Sequence, residues 1–232
     1  MIINTRSCAA IYRAVTVITA GIAVSRVIGV GTTHFAPGGL LYYTSMSNLL
    51  GMAWSLYALI VTLVSIGKYD RRASASVCPR LGAGVALAIL VTLLIYLTIL
   101  APASFTQGSG YQPFTLTDDL VHIVVPLLLI GDWLIFADKG VLRWWDPLWW
   151  ALIPYAYAAY ALIRPVFTSA QWPGGGHYPY QFLDVEHIGW GGVAVNILVL
   201  TVVIEAIAFL MVALDRRLAV LKNRRSCAAV NG

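Results

Sequence analysis

Six apolar runs, each long enough to cross a bilayer, constrain this chain more than any other feature. They fall at about residues 10–30, 43–66, 81–100, 119–136, 147–167 and 188–214. A spanning helix needs about 20 predominantly apolar residues. In lipid every backbone polar group must find its partner within the chain, so only helices and closed barrels span. The runs are continuous and do not alternate with period two, which selects helices over barrel strands. The expectation is an all-α, polytopic membrane protein: one six-transmembrane-helix bundle over residues 1–232. Composition agrees. The chain is 59% hydrophobic and 11% charged, with a mean hydropathy of +0.79. A soluble domain carries about 25% charged residues. A soluble enzyme, a coiled coil, a disordered tail and a disulfide-knit secreted domain are thereby excluded. The first run is too long for a cleaved signal peptide, carries Arg26 near its end and lacks a small-residue cleavage site.

The basic residues sort themselves along the chain. Arg6 and Arg13 precede or open the first run, and Lys68, Arg71, Arg72 and Arg80 lie between the second and third. Lys139 and Arg143 lie between the fourth and fifth, and Arg216, Arg217, Lys222, Arg224 and Arg225 follow the sixth. Thirteen of the 15 basic residues thus sit on alternate connections. By the positive-inside rule both termini face the cytoplasm of a cell membrane. The basic pI of about 9.2 is then a topology signal that needs no nucleic acid as partner. Trp144, Trp145, Trp149 and Trp150 read as an inner aromatic belt. Cys8, Cys78 and Cys227 have neither disulfide-framework nor zinc-site spacing.

The polar chemistry gathers on the opposite, outer side. His34, His122, His177 and His187 all map there, with Asp118, Asp119, Asp184 and Glu186. The last outer connection holds Gly174-Gly175-Gly176 before His177-Tyr-Pro-Tyr, which suits either a lid or a solvated loop. The second run opens with Thr44, Ser47 and Asn48 at i, i+3 and i+4, and Gly51 continues that helix face. Such a stripe serves a cavity, helix packing through small hydroxyls, or an amino-terminal cap. The fourth run opens Asp118-Asp119 and carries His122 one turn in, inside apolar sequence. A buried imidazole needs a partner, and it is the side chain best suited to act as a base near neutral pH. Pro126 lacks an N–H, so the His122 carbonyl four residues back is expected to lose its helical partner.

Thr44 and His122 lie at similar depth. A threonine hydroxyl attacks only after a neighbouring base takes its proton, and a histidine within about 3 Å does that. Asp118 one turn earlier would orient the ring, with Asp119 as the other candidate. Asn48 or a backbone N–H would hold an oxyanion. Arg26 and Arg164 lie at the same depth and are candidates to bind a substrate carboxylate. Asp132 and Glu205 lie deeper, as structural partners, neutral acids or part of an ion path.

At these residues the sequence resembles the membrane family that includes androgen-induced protein and androgen-dependent TFPI-regulating protein, with its prokaryotic relatives. The resemblance rests on the Tyr-x-Thr segment ending at Thr44, followed by Asn48-Leu-Leu. It rests also on His122 with Pro126 and on Tyr178-Pro-Tyr-x-Phe-Leu-Asp184, in a six-span layout over nearly the whole chain. It implies an intramembrane threonine hydrolase that cleaves fatty acid esters of hydroxy fatty acids. Thr44 is then the nucleophile and His122 the second essential residue. Ser47, Asn48, Asp118 and Asp119 are expected to support them. Arg26, Arg164, Tyr43, Tyr178 and Tyr180 are expected to bind the lipid ester. No metal or cofactor is expected. Two rivals stand. A zinc hydrolase would draw ligands from His34, His122, His177, His187 and the outer carboxylates, although no compact ligand motif is present. A transporter would use Asp132 or Glu205, although no inverted repeat is visible.

Overall fold

The chain is described from a computed structural model, which covers residues 5–68, 74–102 and 113–230, with side chains as far as Lys222. Arg71 and Arg72, and the side chains of Arg224, Arg225 and Cys227, lie outside the described residues. Among the described residues the fold is all-helical. In chain order the main helices are α1 (Arg6–Val27), α2 (Tyr43–Lys68), α3 (Pro79–Ile95) and α4 (Leu116–Phe136). They are followed by α5 (Asp146–Trp150), α6 (Leu152–Phe167) and α7 (Val185–Val230). A π-helical turn, Tyr96–Leu100, extends α3, and a second one, Leu120–Val124, lies inside α4.

Five of these helices, α1 to α4 and α7, are long and apolar enough to cross a membrane. The expected fifth run is broken at Ala151 into five- and 16-residue pieces. At 1.5 Å per residue α6 alone is about 24 Å long, short of a hydrocarbon core of about 30 Å. Helix α7 is longer than the run that announces it and breaks near its start at Gly189, whose φ of 68° and ψ of 169° suit a residue without a side chain.

Helices α1 and α3 each pack on both α2 and α4. The contact is close because small residues line it: Ala20, Ala23 and Ala58 are wholly buried there beside Ile89 and Val125. A Cβ at Gly51 would overlap the Leu129 side chain, so glycine lets α2 approach α4 on the face that carries Thr44. Helices α6 and α7 pack on α2, α3 and α4 in a second cluster built of larger side chains. Tyr157, Ile204 and Met211 join Tyr43, Leu87 and Trp133 in one core.

The end of the bundle with the basic residues is clamped by ion pairs. Arg13 is 2% exposed. It belongs to the helical interior, not to a basic flank. Its Nε donates to Asp132 Oδ1 at 2.8 Å, and its Nη1 donates to Thr62 Oγ1 and the Ala75 carbonyl. Asp132 is therefore a structural partner of Arg13. Asp146 is bound by Arg80, and Asp215 accepts the N–H groups of Gly140 and Leu142 at 2.9 and 3.1 Å. Of the expected aromatic belt, Trp144, Trp145 and Trp149 are exposed, but Trp150 turns inward and packs against Gly84. Removing one partner of a buried ion pair costs about 3–5 kcal/mol, whereas an apolar pair of similar volume is often neutral. Arg13→Ala is expected to lower the stability of the detergent-solubilised protein by that amount. Arg13→Met with Asp132→Leu should restore most of it, as read by thermal unfolding.

Lys139, beyond the end of α4, donates to the Trp133 carbonyl at 2.6 Å and lies 4.1 Å over that residue's ring. Burial pushes its ammonium down to about 8, against the pull of Asp215, Asp132 and Asp138. The folded chain thus binds fewer protons than the unfolded chain between about pH 8 and the ordinary lysine value of 10.5. Stability should rise with pH across that window. Lys139→Met is expected to remove that rise, measured as the wild-type-minus-variant difference in unfolding midpoint.

Candidate active site

Helix α2 starts at Tyr43, just after a short 3-10 turn at Pro37–Leu41. Ser45 Oγ ties the two together by donating to the Gly39 carbonyl at 2.7 Å. Ser45 therefore anchors the helix start, while the Thr44 hydroxyl is left to face α4. There it meets His122: Thr44 Oγ1 and His122 Nε2 are 3.2 Å apart, and both residues are buried.

The ring's other side fixes the direction of this bond. His122 Nδ1 lies 3.2 Å from the Asp118 carbonyl oxygen, which can only accept. Nδ1 therefore carries the proton, Nε2 is the acceptor, and Thr44 donates to it. The Asp118 carboxylate stands 3.6 Å from the same Nδ1, well placed to support an imidazolium. Thr115 in turn donates to the Asp118 carboxylate at 2.9 Å. Of the two adjacent acids, Asp118 is the one that faces the ring.

Pro126 also bears on a second carbonyl, that of Val121. In the π-helical turn the Val125 N–H bonds to the Leu120 carbonyl, five residues back. The next donor in that register would be residue 126, opposite the Val121 carbonyl. Proline has no N–H to give. The Val121 carbonyl is thus left without a helical donor. Asn48 supplies the missing donor: its Nδ2 donates to the Val121 carbonyl at 2.9 Å and to the Thr44 carbonyl at 2.7 Å. Asn48 is wholly buried, and both its N–H bonds are occupied in joining α2 to α4. It is a scaffold residue here, not the oxyanion donor expected from sequence. Ser47 donates to the Thr44 carbonyl at 3.0 Å and pairs with Thr92 of α3 at 2.7 Å. The polar face of α2 therefore joins α2 to α3 and α4 and turns Thr44 toward His122.

Tyr96, which sequence reasoning missed, completes the wall behind the histidine. Its ring stacks on His122 with centroids 4.1 Å apart and planes 10° from parallel. Its hydroxyl accepts the Phe114 N–H at 2.9 Å. The two π-helical turns thus meet at the site, one carrying Tyr96 and the other His122; such turns recur at functional positions.

On its other side Thr44 opens onto an apolar cavity of about 70 Å³. Val91, Ile95, Leu200 and Ile204 line its apolar length, and Tyr43, Tyr157 and Tyr180 stand at the Thr44 end. Tyr43 is partly structural, donating to the Ala88 carbonyl at 3.0 Å.

The glycine-rich connection folds inward. Trp172 is 2% exposed, donates to the His177 carbonyl at 2.9 Å and packs on Tyr42 and Tyr160. Tyr180 stacks on Phe182 and reaches down to Thr44. Burial pushes its phenol up to about 12, outweighing the opposing contacts with Thr44 and Tyr157. The phenol therefore keeps its proton at neutral pH.

Other expected site residues are elsewhere. Arg26 is exposed and donates to Thr117 Oγ1 at 3.1 Å. Arg164 donates to the Ala170 carbonyl at 2.7 Å and lies over the Trp172 ring. Neither guanidinium converges on the Thr44–His122 pair. Tyr178 stays in the connection, near Glu186 and Asp184, and does not line the cavity. His177 pairs with Glu186 at 2.7 Å, His187 faces Asp184 at 3.9 Å, and His34 is exposed. Among the described residues no three His, Cys, Asp or Glu side chains gather as a metal site, so the zinc alternative has no ligand set there. Glu205 is half-buried on α7, and its Oε2 has no partner among the described residues.

Against protein-family models, curated proteins and solved structures, the chain finds no match.

Proposed function

We propose that this chain is an intramembrane threonine hydrolase acting on ester-linked lipids. The observation that carries the reading is the buried hydrogen bond from Thr44 to His122, set at the head of an apolar cavity. A hydroxyl and a base at 3.2 Å, with the base's far nitrogen held in the right tautomer by Asp118, have the geometry of an activated nucleophile.

In the proposed reaction Thr44 Oγ attacks the ester carbonyl carbon as its proton passes to His122 Nε2. The carbonyl π pair moves onto oxygen. Collapse of that intermediate breaks the bond to the alcohol, which takes the proton back from His122. Water then repeats both steps and releases the acid. The acyl chain occupies the cavity between α3, α6 and α7. The resemblance to the androgen-induced protein family supports fatty acid esters of hydroxy fatty acids as the substrate class.

For topology, we read α5 and α6 together as the fifth of six spans, with both termini cytoplasmic and the Thr44 end toward the outer leaflet of a cell membrane. The basic flanks support this orientation. The test is hydrolysis of a panel of long-chain lipid esters by the wild type beside Thr44→Ala, with labelling by a fluorophosphonate mapped to Thr44 by mass spectrometry. Ester cleavage that survives Thr44→Ala would overturn the reading.

A further inference from the structure

An ester attacked by Thr44 needs hydrogen-bond donors where its carbonyl oxygen becomes negative. Asn48 cannot provide them, because both its N–H bonds are held by carbonyls. The donors that face Thr44 from the cavity side are phenols. Tyr157 of α6 is 8% exposed, and its hydroxyl has no hydrogen-bond partner among the described residues. It lies close enough to the main chain of Tyr43 and the phenol of Tyr180 to interact with both, but in neither contact does it reach full hydrogen-bond geometry. A buried hydroxyl without a partner costs free energy, which a ligand oxygen would recover. Tyr180 comes from the last long connection and lies against the Thr44 side chain and the main chain of Tyr43 and Thr44.

Both rings are held in place. Tyr157 packs edge-on against Tyr43 at 5.2 Å and beside Tyr180 at 6.3 Å, and Tyr180 stacks on Phe182 at 5.1 Å. Both residues line the same cavity as Thr44. An acyl chain lying along Val91, Leu200 and Ile204 would bring its carbonyl carbon to Thr44 with the oxygen between the two phenols.

We propose that Tyr157 and Tyr180 form the oxyanion hole of the hydrolase, donating their phenolic hydrogens to the ester carbonyl oxygen. This rests on the Thr44–His122 reading. The two donors come from different parts of the chain, α6 and the connection before α7. Ester cleavage therefore requires that connection to be seated, and the hole is assembled only in the folded bundle.

The experiment compares a para-nitrophenyl ester of a long-chain fatty acid with the matching thionoester, whose sulfur is a weak hydrogen-bond acceptor. Wild type, Tyr157→Phe, Tyr180→Phe and Thr44→Ala are assayed in detergent after matched thermal melts. Each phenylalanine variant should lose about 10²–10³-fold in kcat, the cost of one oxyanion donor. KM should stay within about threefold, since the ring that lines the cavity is retained. The preference of the wild type for the oxoester should shrink in each variant. A purely structural role would not move that ratio. Wild-type kcat and an unchanged ratio in both variants, with Thr44→Ala inactive, would overturn the hole and leave the dyad standing. A change in KM alone would overturn it too, and activity in Thr44→Ala would remove both readings. Should a variant fail to fold, equal rates on the two esters by the wild type would by themselves overturn the proposal.

Discussion

Thr44→Ala and His122→Ala are each expected to reduce cleavage of a long-chain ester by at least the 10²–10⁴-fold typical of losing a general base. The double variant should be no worse than the weaker single one. The two groups act as one unit: without His122 the hydroxyl keeps its proton, and without Thr44 the base has nothing to activate. Thr44→Ser retains an oxygen at the same position and should keep part of the activity. The measurement is fatty acid release by purified protein, with melting temperature as the control for folding. Both side chains are buried; Thr44→Ala removes little volume, whereas His122→Ala also gives up the stacking on Tyr96, so its melting temperature is expected to fall more. Additive losses in the double variant would mean that the pair does not work together, and the mechanism would fail.

The second large effect is expected at Asn48, which touches no substrate. Asn48→Leu keeps the volume but removes both donors from α2. The Val121 carbonyl, already without a helical partner because of Pro126, would be left buried and unpaired. One such group costs about 1–3 kcal/mol. The helices would relieve it by separating or rotating, and a displacement of about 1 Å between nucleophile and base can cost 10²-fold in rate. Asn48→Leu should therefore lower both the unfolding midpoint and ester cleavage, without abolishing fluorophosphonate entry to the cavity. Pro126→Ala in the Asn48→Leu background restores an N–H at residue 126 and is expected to recover part of the stability. A variant with wild-type stability and activity would show that the bridge is unnecessary.

Much of this arrangement was legible from residue types. The apolar runs identify the helices because lipid permits few alternatives, and they mark α2 and α4 within three residues at each end. Thr44 and His122 stand out because polar groups are scarce in such helices. Other features were not legible, for physical reasons. Arg13 counted as a basic flank, yet it is buried against Asp132; sequence alone cannot tell a snorkelling arginine from a paired one. Arg26 and Arg164 share a depth with the dyad but point away from it, since depth leaves the rotation of a helix undetermined. Tyr96 and Tyr157 sit in apolar runs like any packing aromatic. Only their neighbours distinguish them: a histidine ring for one, the cavity beside Thr44 for the other.

The sequence by itself determined the helices and the short set of polar residues they carry toward one end. It also determined that Pro126 would leave one carbonyl without a helical donor. The tertiary structure decided that the Val121 carbonyl is left over as well, and what serves it. The π-helical turn shifts the register by one residue, and the resulting gap at Val121 is closed by Asn48 from another helix. That bond, with the glycine approach at Gly51, brings Thr44 within reach of His122. Local patterns fix what each helix offers. The pairing of hydroxyl with base is a distance between two helices, and a distance of that kind is set only when their surfaces pack.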